Sequence, residues 1–281
     1  MTMEQVSINR SHGGVQGVYS HASFATGTQM TFSVFVPDHP EGARLPVVWY
    51  LSGLTCTHAN VTEKAEFRAA CVDLGLIFVA PDTSPRGTGV PDDSEGAYDF
   101  GLGAGFYVDA TEEPFAGTYR MWSYVTRELP DLIAANFPAD PGRQSIIGHS
   151  MGGHGALTIG LTYPDRYKAV SAFSPIVAPS QVPWGRKALA GYLGTDEAAW
   201  RAHDAVSLIE DGARVPALLI DQGASDQFLT EQLRPELIEQ AAHDAGIDLT
   251  LNMREGYDHS YFFISTFMGE QLRWHAARLA P

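Results

Sequence analysis

The sequence predicts an α/β fold, a mostly parallel central sheet flanked by helices with an antiparallel hairpin at its N-terminal side. Two observations lead there. Short apolar, β-branched runs alternate with longer amphipathic runs, the pattern of parallel strands joined by crossover helices. The 281 residues, 44% of them hydrophobic, contain no linker-like stretch and no internal repeat, so one core is expected to serve a single domain over 1–281.

The elements follow in order. The first 36 residues hold "VSINRSHGGVQGVYSH" and "MTFSVFVP", which read as the hairpin. Next come the strand "LPVVWYLSG", a helix over about 62–74, the strand "GLIFVAPD", a helix over about 119–136, the strand "QSIIGHS" and a helix from 151. The strands "YKAVSAFSP" and "VPALLIDQG", a helix over about 229–245, the strand "IDLTLNMREG" and the final helix "SYFFISTFMGEQLRWHAARL" complete the series. Two stretches stand outside it. Residues 83–117 are rich in Gly, Pro and Asp and too long for a plain connection, and their aromatic residues Tyr98, Phe100, Phe106 and Tyr107 suit a loop packed near a functional site. Residues 174–194, around "PSQVPWGRKALAGYLG", read as a second irregular stretch, placed to line a substrate pocket.

Charge and cysteine content narrow the function classes. Eighteen Lys and Arg against 33 Asp and Glu give a net charge of −15 with no basic stripe, which argues against nucleic acid and anionic membranes as partners. "MTMEQVSINRSHGG" has neither a basic start nor an apolar core of a signal, and no run approaches a membrane span, so a cytoplasmic protein is expected. Only Cys56 and Cys71 are present, too few for a disulfide framework and without metal-ligand spacing. Neither a metal nor a cofactor is expected.

The chemistry centres on "GHSMGGHG", residues 148–155. A G-x-S-x-G match acquires meaning only from its context, and here the apolar strand "SIIG" precedes Ser150 while the helix-compatible "MGGHGALTIGL" follows it. That is the setting of a nucleophile elbow, with Gly148 and Gly152 allowing the backbone to crowd. A serine hydroxyl needs a histidine to take its proton and a carboxylate to orient that histidine, and in this arrangement both lie downstream, the acid first. Asp226 in "QGASDQF" follows one strand and His259 in "REGYDHSYFF" follows the next. Asp226 is preferred to Asp221, still within its strand, and to Asp258, the neighbour of the histidine. His203, His243 and His275 read as surface residues, and His149 and His154 flank the serine too closely to serve as its base. The oxyanion donors are expected to be the amides of Met151, after the nucleophile, and Leu54, in the "LSGLTCT" turn. Cys71 is expected in the core of its helix, and Cys56, two residues past Leu54, near the site without doing chemistry.

Together the blocks "YLSGLTCT", "APDTSPRG", "YDFGLGAGFYVDAT", "NFPADPGRQSIIGHSMGGHGAL", "DQGASDQF" and "EGYDHSYFFI" closely resemble the S-formylglutathione hydrolase (esterase D) family of the α/β-hydrolase superfamily. The resemblance covers most of the chain from about 45 to 275. It implies the α/β-hydrolase fold, hydrolysis of a glutathione thioester by Ser150, Asp226 and His259, an oxyanion hole from Leu54 and Met151, and often a homodimer. The chain departs from the family at His58, Ala59, Asn60 and Val61, where an acidic residue and, after the Asn, an aromatic one are usual, which places acyl preference or the fit of glutathione in question. For an anionic substrate on an acidic protein, the local anchors expected are Arg86, Arg186 and Lys187, with Trp184 as an apolar wall.

Overall fold

The computed structural model describes residues 2–280. Nine strands form one sheet: β1 (Glu4–Ser11), β2 (Gly14–Ala22), β3 (Gln29–Pro37), β4 (Leu45–Leu51), β5 (Ile77–Pro81), β6 (Ala139–His149), β7 (Tyr167–Phe173), β8 (Ala217–Gly223) and β9 (Asp248–Arg254), in the order β1-β2-β3-β5-β4-β6-β7-β8-β9. From β5 to β9 all neighbours are parallel, while β1, β2 and β3 run antiparallel and β3 joins β5 antiparallel. The N-terminal hairpin is therefore a three-stranded meander. Its outermost strand β1 is almost wholly exposed, the apolar Val6 and Ile8 included.

Alternation along β4 shows why the sheet is covered on both faces. Val47, Trp49 and Leu51 join the core on one side, and Val48 and Tyr50 the core on the other. The chain moves outward from β4 to β5, then crosses back to β6 on the far side of β4. This reversal opens a crevice beyond the carboxyl ends of β4 and β6, the place where open α/β sheets take ligands. The loop after β4 and the serine after β6 therefore meet there.

Helices α1 (His58–Lys64) and α2 (Arg68–Leu74) replace the single helix expected over 62–74. The first starts early because Thr57 caps it: its side chain accepts from the Ala59 amide while Asn60 accepts from the Thr57 amide. The break falls at Glu66, whose φ of 54° is left-handed and incompatible with a continuous helix. The next helical segment comprises α3 (Met121–Ser123), a π-helical turn over Tyr124–Glu128 and α4 (Leu129–Asn136). After β6 comes α5 (Met151–Thr162). The stretch 174–194 read as irregular contains α6 (Pro183–Leu193), started by a proline in its first turn and ended at Gly194. Short α7 (Glu197–Trp200) and α8 (Ala205–Glu210) follow. The helix expected over 229–245 is a π-helical turn, Leu229–Leu233, and α9 (Pro235–Ala245), separated at Arg234, whose φ is 52°. A residue before proline avoids the right-handed helical region, so the break sits where the sequence dictates. The C-terminal α10 (Tyr261–Leu279) covers the face opposite α5.

His275, expected at the surface, is fully buried in α10. Ser171 Oγ lies 2.6 Å from both Gln271 Oε1 and His275 Nε2, and Gln271 Nε2 donates to Asp221 at 2.7 Å. The serine hydroxyl has one proton, which goes to the amide oxygen, so the histidine donates from a neutral Nε2–H. Burial pushes His275 down to about 3 and the equally buried His154 to about 4. Both are neutral when folded and protonate near pH 6.5 when unfolded, so their contribution is complete above 6.5 and is lost as pH falls below it. Each costs about 1.4 kcal/mol per pH unit in that window. Stability measured by denaturant titration is accordingly expected to fall by about 4 kcal/mol for the two together between pH 7 and pH 5. Burial lowers His21, His58, His149 and His203 as well, so the whole protein falls by more than these two supply, and a His275→Gln variant should reduce the fall by about 2 kcal/mol; an unreduced fall would refute the assignment.

Candidate active site

Ser150 sits between β6 and α5 with φ 58° and ψ −119°, a strained conformation for a residue with a side chain. Its backbone is held from several directions. The Ser150 amide donates to the Phe173 carbonyl at 3.0 Å, and its carbonyl accepts from His154 at 3.0 Å and Ile176 at 3.3 Å. The flanking glycines are there for space. A Cβ on Gly148 would lie 2.0 Å from the Gly152 carbonyl oxygen, and one on Gly152 would lie 2.0 Å from that of Leu51.

Asp226 and His259 come together from the turns after β8 and β9. Asp226 is buried, with Oδ1 accepting the Phe228 amide at 2.9 Å and Oδ2 lying 2.5 Å from His259 Nδ1. A carboxylate oxygen accepts, so Nδ1 carries the proton and Nε2 is left with its lone pair. The His259 ring is further wedged between His149, with centroids 4.5 Å apart, and Phe228 at 5.1 Å. The competing acids are engaged elsewhere. Asp221 is buried against Arg254 at 2.7 Å and also accepts from Asn252 and Gln271, and Asp258 accepts from Ser260. His154 Nε2 faces the Phe106 carbonyl at 2.9 Å.

Ser150 and His259 line one cleft of about 180 Å³, together with Gly53, Leu54, Cys56 and His149 on one side and Tyr98, Trp184 and Phe228 on the other. A larger hollow of about 690 Å³ lies elsewhere, over Val47, Gln144 and Arg166 at the opposite ends of the strands, and contains none of these groups. The loop 52–56 is braced from behind by the long glycine-rich stretch. Tyr107 donates its hydroxyl to the Ser52 carbonyl at 2.8 Å, and the Thr55 amide reaches the Gly103 carbonyl at 2.9 Å. Among the described residues, neither the Leu54 nor the Met151 amide donates to a protein acceptor. Met151 opens α5, so its free N–H also stands at the positive end of that helix.

Cys56 lines the cleft but is only 8% exposed, and burial raises its thiol above the ordinary range, so little thiolate forms at neutral pH. Cys71 is fully buried. Trp184 is on the cleft wall, against Phe228 at 4.7 Å and Tyr98 at 6.1 Å. The three cations expected beside it are not free. Arg86 is paired with Asp82 at 3.1 Å, Arg186 with Glu197 at 2.6 Å, and Lys187 with Asp99 at 2.7 Å, and none lines the cleft. Phe228 and His149 are the cleft residues that the sequence reading left without a role. Phe228 sits two residues after Asp226, and that spacing is the one signal for it.

A parallel sheet reversed at β4 and β6, with a serine on a strained strand-to-helix turn and a histidine–carboxylate pair on later strand ends, defines an α/β-hydrolase. The Esterase family model matches residues 23–274. The chain is 54% identical to the S-formylglutathione hydrolase of Paracoccus denitrificans and 48% identical to that of Mus musculus, covering 99% of each pair. It matches the solved structure of an S-formylglutathione hydrolase from Agrobacterium tumefaciens with TM-score 0.97 and 58% identity, over 98% of this chain and 99% of that one. The chain belongs to the S-formylglutathione hydrolase family.

Proposed function

We propose that this chain hydrolyses S-formylglutathione to formate and glutathione through a formyl-serine intermediate. Ser150 Oγ attacks the thioester carbonyl carbon, and His259 Nε2, whose lone pair is free because Asp226 holds the proton on Nδ1, takes the serine proton. The carbonyl oxygen gains negative charge and is met by the Leu54 and Met151 amides, donors that need no reorganisation to serve it. The C–S bond then breaks, with the proton on Nε2 available to the departing sulfur. A thiol of ordinary pKa about 8.5 leaves far more readily than an alkoxide, so this step asks little of the acid. In the second half, water gives its proton to the same nitrogen as its oxygen attacks the formyl carbon, and Ser150 departs with that proton.

The observation that carries the substrate is identity at near full length with relatives that bear this activity in their names. A cleft of about 180 Å³ suits the small formyl group. The two unlinked cysteines suit a reducing cytoplasm, and no described helix is long and apolar enough to cross a membrane. A homodimer is the assembly that the family resemblance favours. The test compares kcat/KM for S-formylglutathione with that for p-nitrophenyl acetate. The glutathione thioester is expected to be the better substrate by at least about a hundredfold, the contribution of about 2.7 kcal/mol from recognition of the glutathione half. Comparable values would instead identify a general carboxylesterase with the same residues.

A further inference from the structure

The catalytic cleft is too small for a whole glutathione conjugate, since small-molecule sites of that kind occupy about 300 Å³ or more. The thiol half of the substrate must therefore lie outside it. With Arg86, Arg186 and Lys187 each held by a carboxylate of the protein, the question is which cation meets the substrate's carboxylates.

A groove of about 570 Å³ lies beside the histidine loop, lined by Glu63, Lys64, Glu66, Tyr261, Phe262 and the serines of the same segment. It adjoins the cleft through shared chain. Ser260 and Tyr261 follow His259 directly, and the Tyr261 ring stands 6.1 Å from that of His149, which lines the cleft. Lys64 is exposed, lies 6.0 Å from the centre of the Tyr261 ring, and among the described residues forms neither an ion pair nor a hydrogen bond. Its charge is felt in the cleft, where it favours the thiolate of Cys56. Phe262 is 84% exposed, an uncovered aromatic side chain at the rim of the same groove. One free cation flanked by two exposed carboxylates, with an aromatic side chain at the rim, is complementary to the amino-acid end of the γ-glutamyl residue, which has one carboxylate and one ammonium.

Building on the hydrolase reading above, we propose that this groove holds the γ-glutamyl end of glutathione, with Lys64 binding its carboxylate, Glu63 or Glu66 its ammonium, and Phe262 covering the peptide. Lys64 is then a specificity residue that touches the substrate far from the reacting bond. It is the last residue of α1, the helix whose first turn, His58–Val61, departs from the family pattern, so the change lies on the element that presents the anchor.

The experiment measures Lys64→Met, Lys64→Glu, Lys64→Arg and Phe262→Ala on S-formylglutathione and on p-nitrophenyl acetate, with glutathione itself as a competitive inhibitor of the second reaction. Lys64→Met should raise KM for the thioester and Ki for glutathione about three- to fivefold, the worth of an exposed ion pair, with kcat little changed. Lys64→Glu should raise both further, and Lys64→Arg should restore most of the affinity. Aryl ester turnover should stay within about twofold. Unchanged KM and Ki in Lys64→Met and Lys64→Glu, or equal losses on both substrates, would overturn the assignment. Failure of the hydrolase reading looks different: the unaltered protein itself would show no preference for the glutathione thioester.

Discussion

Ser150→Ala is expected to lower kcat on thioester and aryl ester alike by about 10⁴- to 10⁶-fold, the range seen when a serine nucleophile is removed and only the oxyanion donors and binding remain. The change deletes one oxygen from a residue whose backbone is fixed by hydrogen bonds to Phe173, His154 and Ile176, so the elbow has no reason to move. Alanine tolerates a positive φ no worse than serine does, and the strain at 58° is already offset by those bonds. The variant should thus unfold within a few degrees of the parent and still bind glutathione. That combination separates lost chemistry from lost structure. Purified, folded Ser150→Ala with near-native turnover would sink the assignment of the nucleophile.

How far the sequence reached depends on the range of the interaction concerned. The strands of the parallel half and the strand-end turns that carry Ser150, Asp226 and His259 are legible because each follows from a local pattern, an apolar strand and then a turn, whereas the order of the strands in the sheet does not. Helix breaks at Glu66 and Arg234 were not read, although Pro235 announced the second; the first depends on a left-handed residue that the sequence does not mark. The stretch 174–194 reads as loop from its Pro and Gly, whereas Pro183 begins α6 and Gly194 ends it. The pairing of Lys187 with Asp99 spans 88 residues, and that of Arg186 with Glu197 joins α6 to α7. Periodicity carries no information about such contacts, so cations near the site looked free when they were engaged. The burial of His275 is hidden from the sequence for the same reason. Its partner Ser171 is 104 residues away on β7, and only the assembled face reveals that the histidine is inside.

The acid carries the second large effect, because Asp226 uses its two oxygens for two different donors. Oδ1 accepts the Phe228 amide at 2.9 Å and Oδ2 accepts the proton of His259 Nδ1 at 2.5 Å. In Asp226→Asn one of those positions becomes an NH₂ group that donates instead. If the oxygen keeps the Phe228 amide, the nitrogen faces His259 Nδ1 and favours the tautomer protonated on Nε2, which has no lone pair for the serine proton. If the side chain flips, two donors confront each other at Phe228 in a buried site, at a cost of about 1–3 kcal/mol. Only the flipped arrangement keeps the proton on Nδ1, and its cost makes that productive state the minor one, so kcat at neutral pH is expected to fall about 10²- to 10⁴-fold while KM changes little, the upper end being the loss an analogous substitution causes in another serine hydrolase. Nitrogen chemical shifts of His259 give the independent check: protonation on Nδ1 in the parent and on Nε2 in the variant. A loss smaller than about tenfold, or an Nδ1 proton retained in Asp226→Asn, would show that the carboxylate orients the base in some other way or that another acid does so.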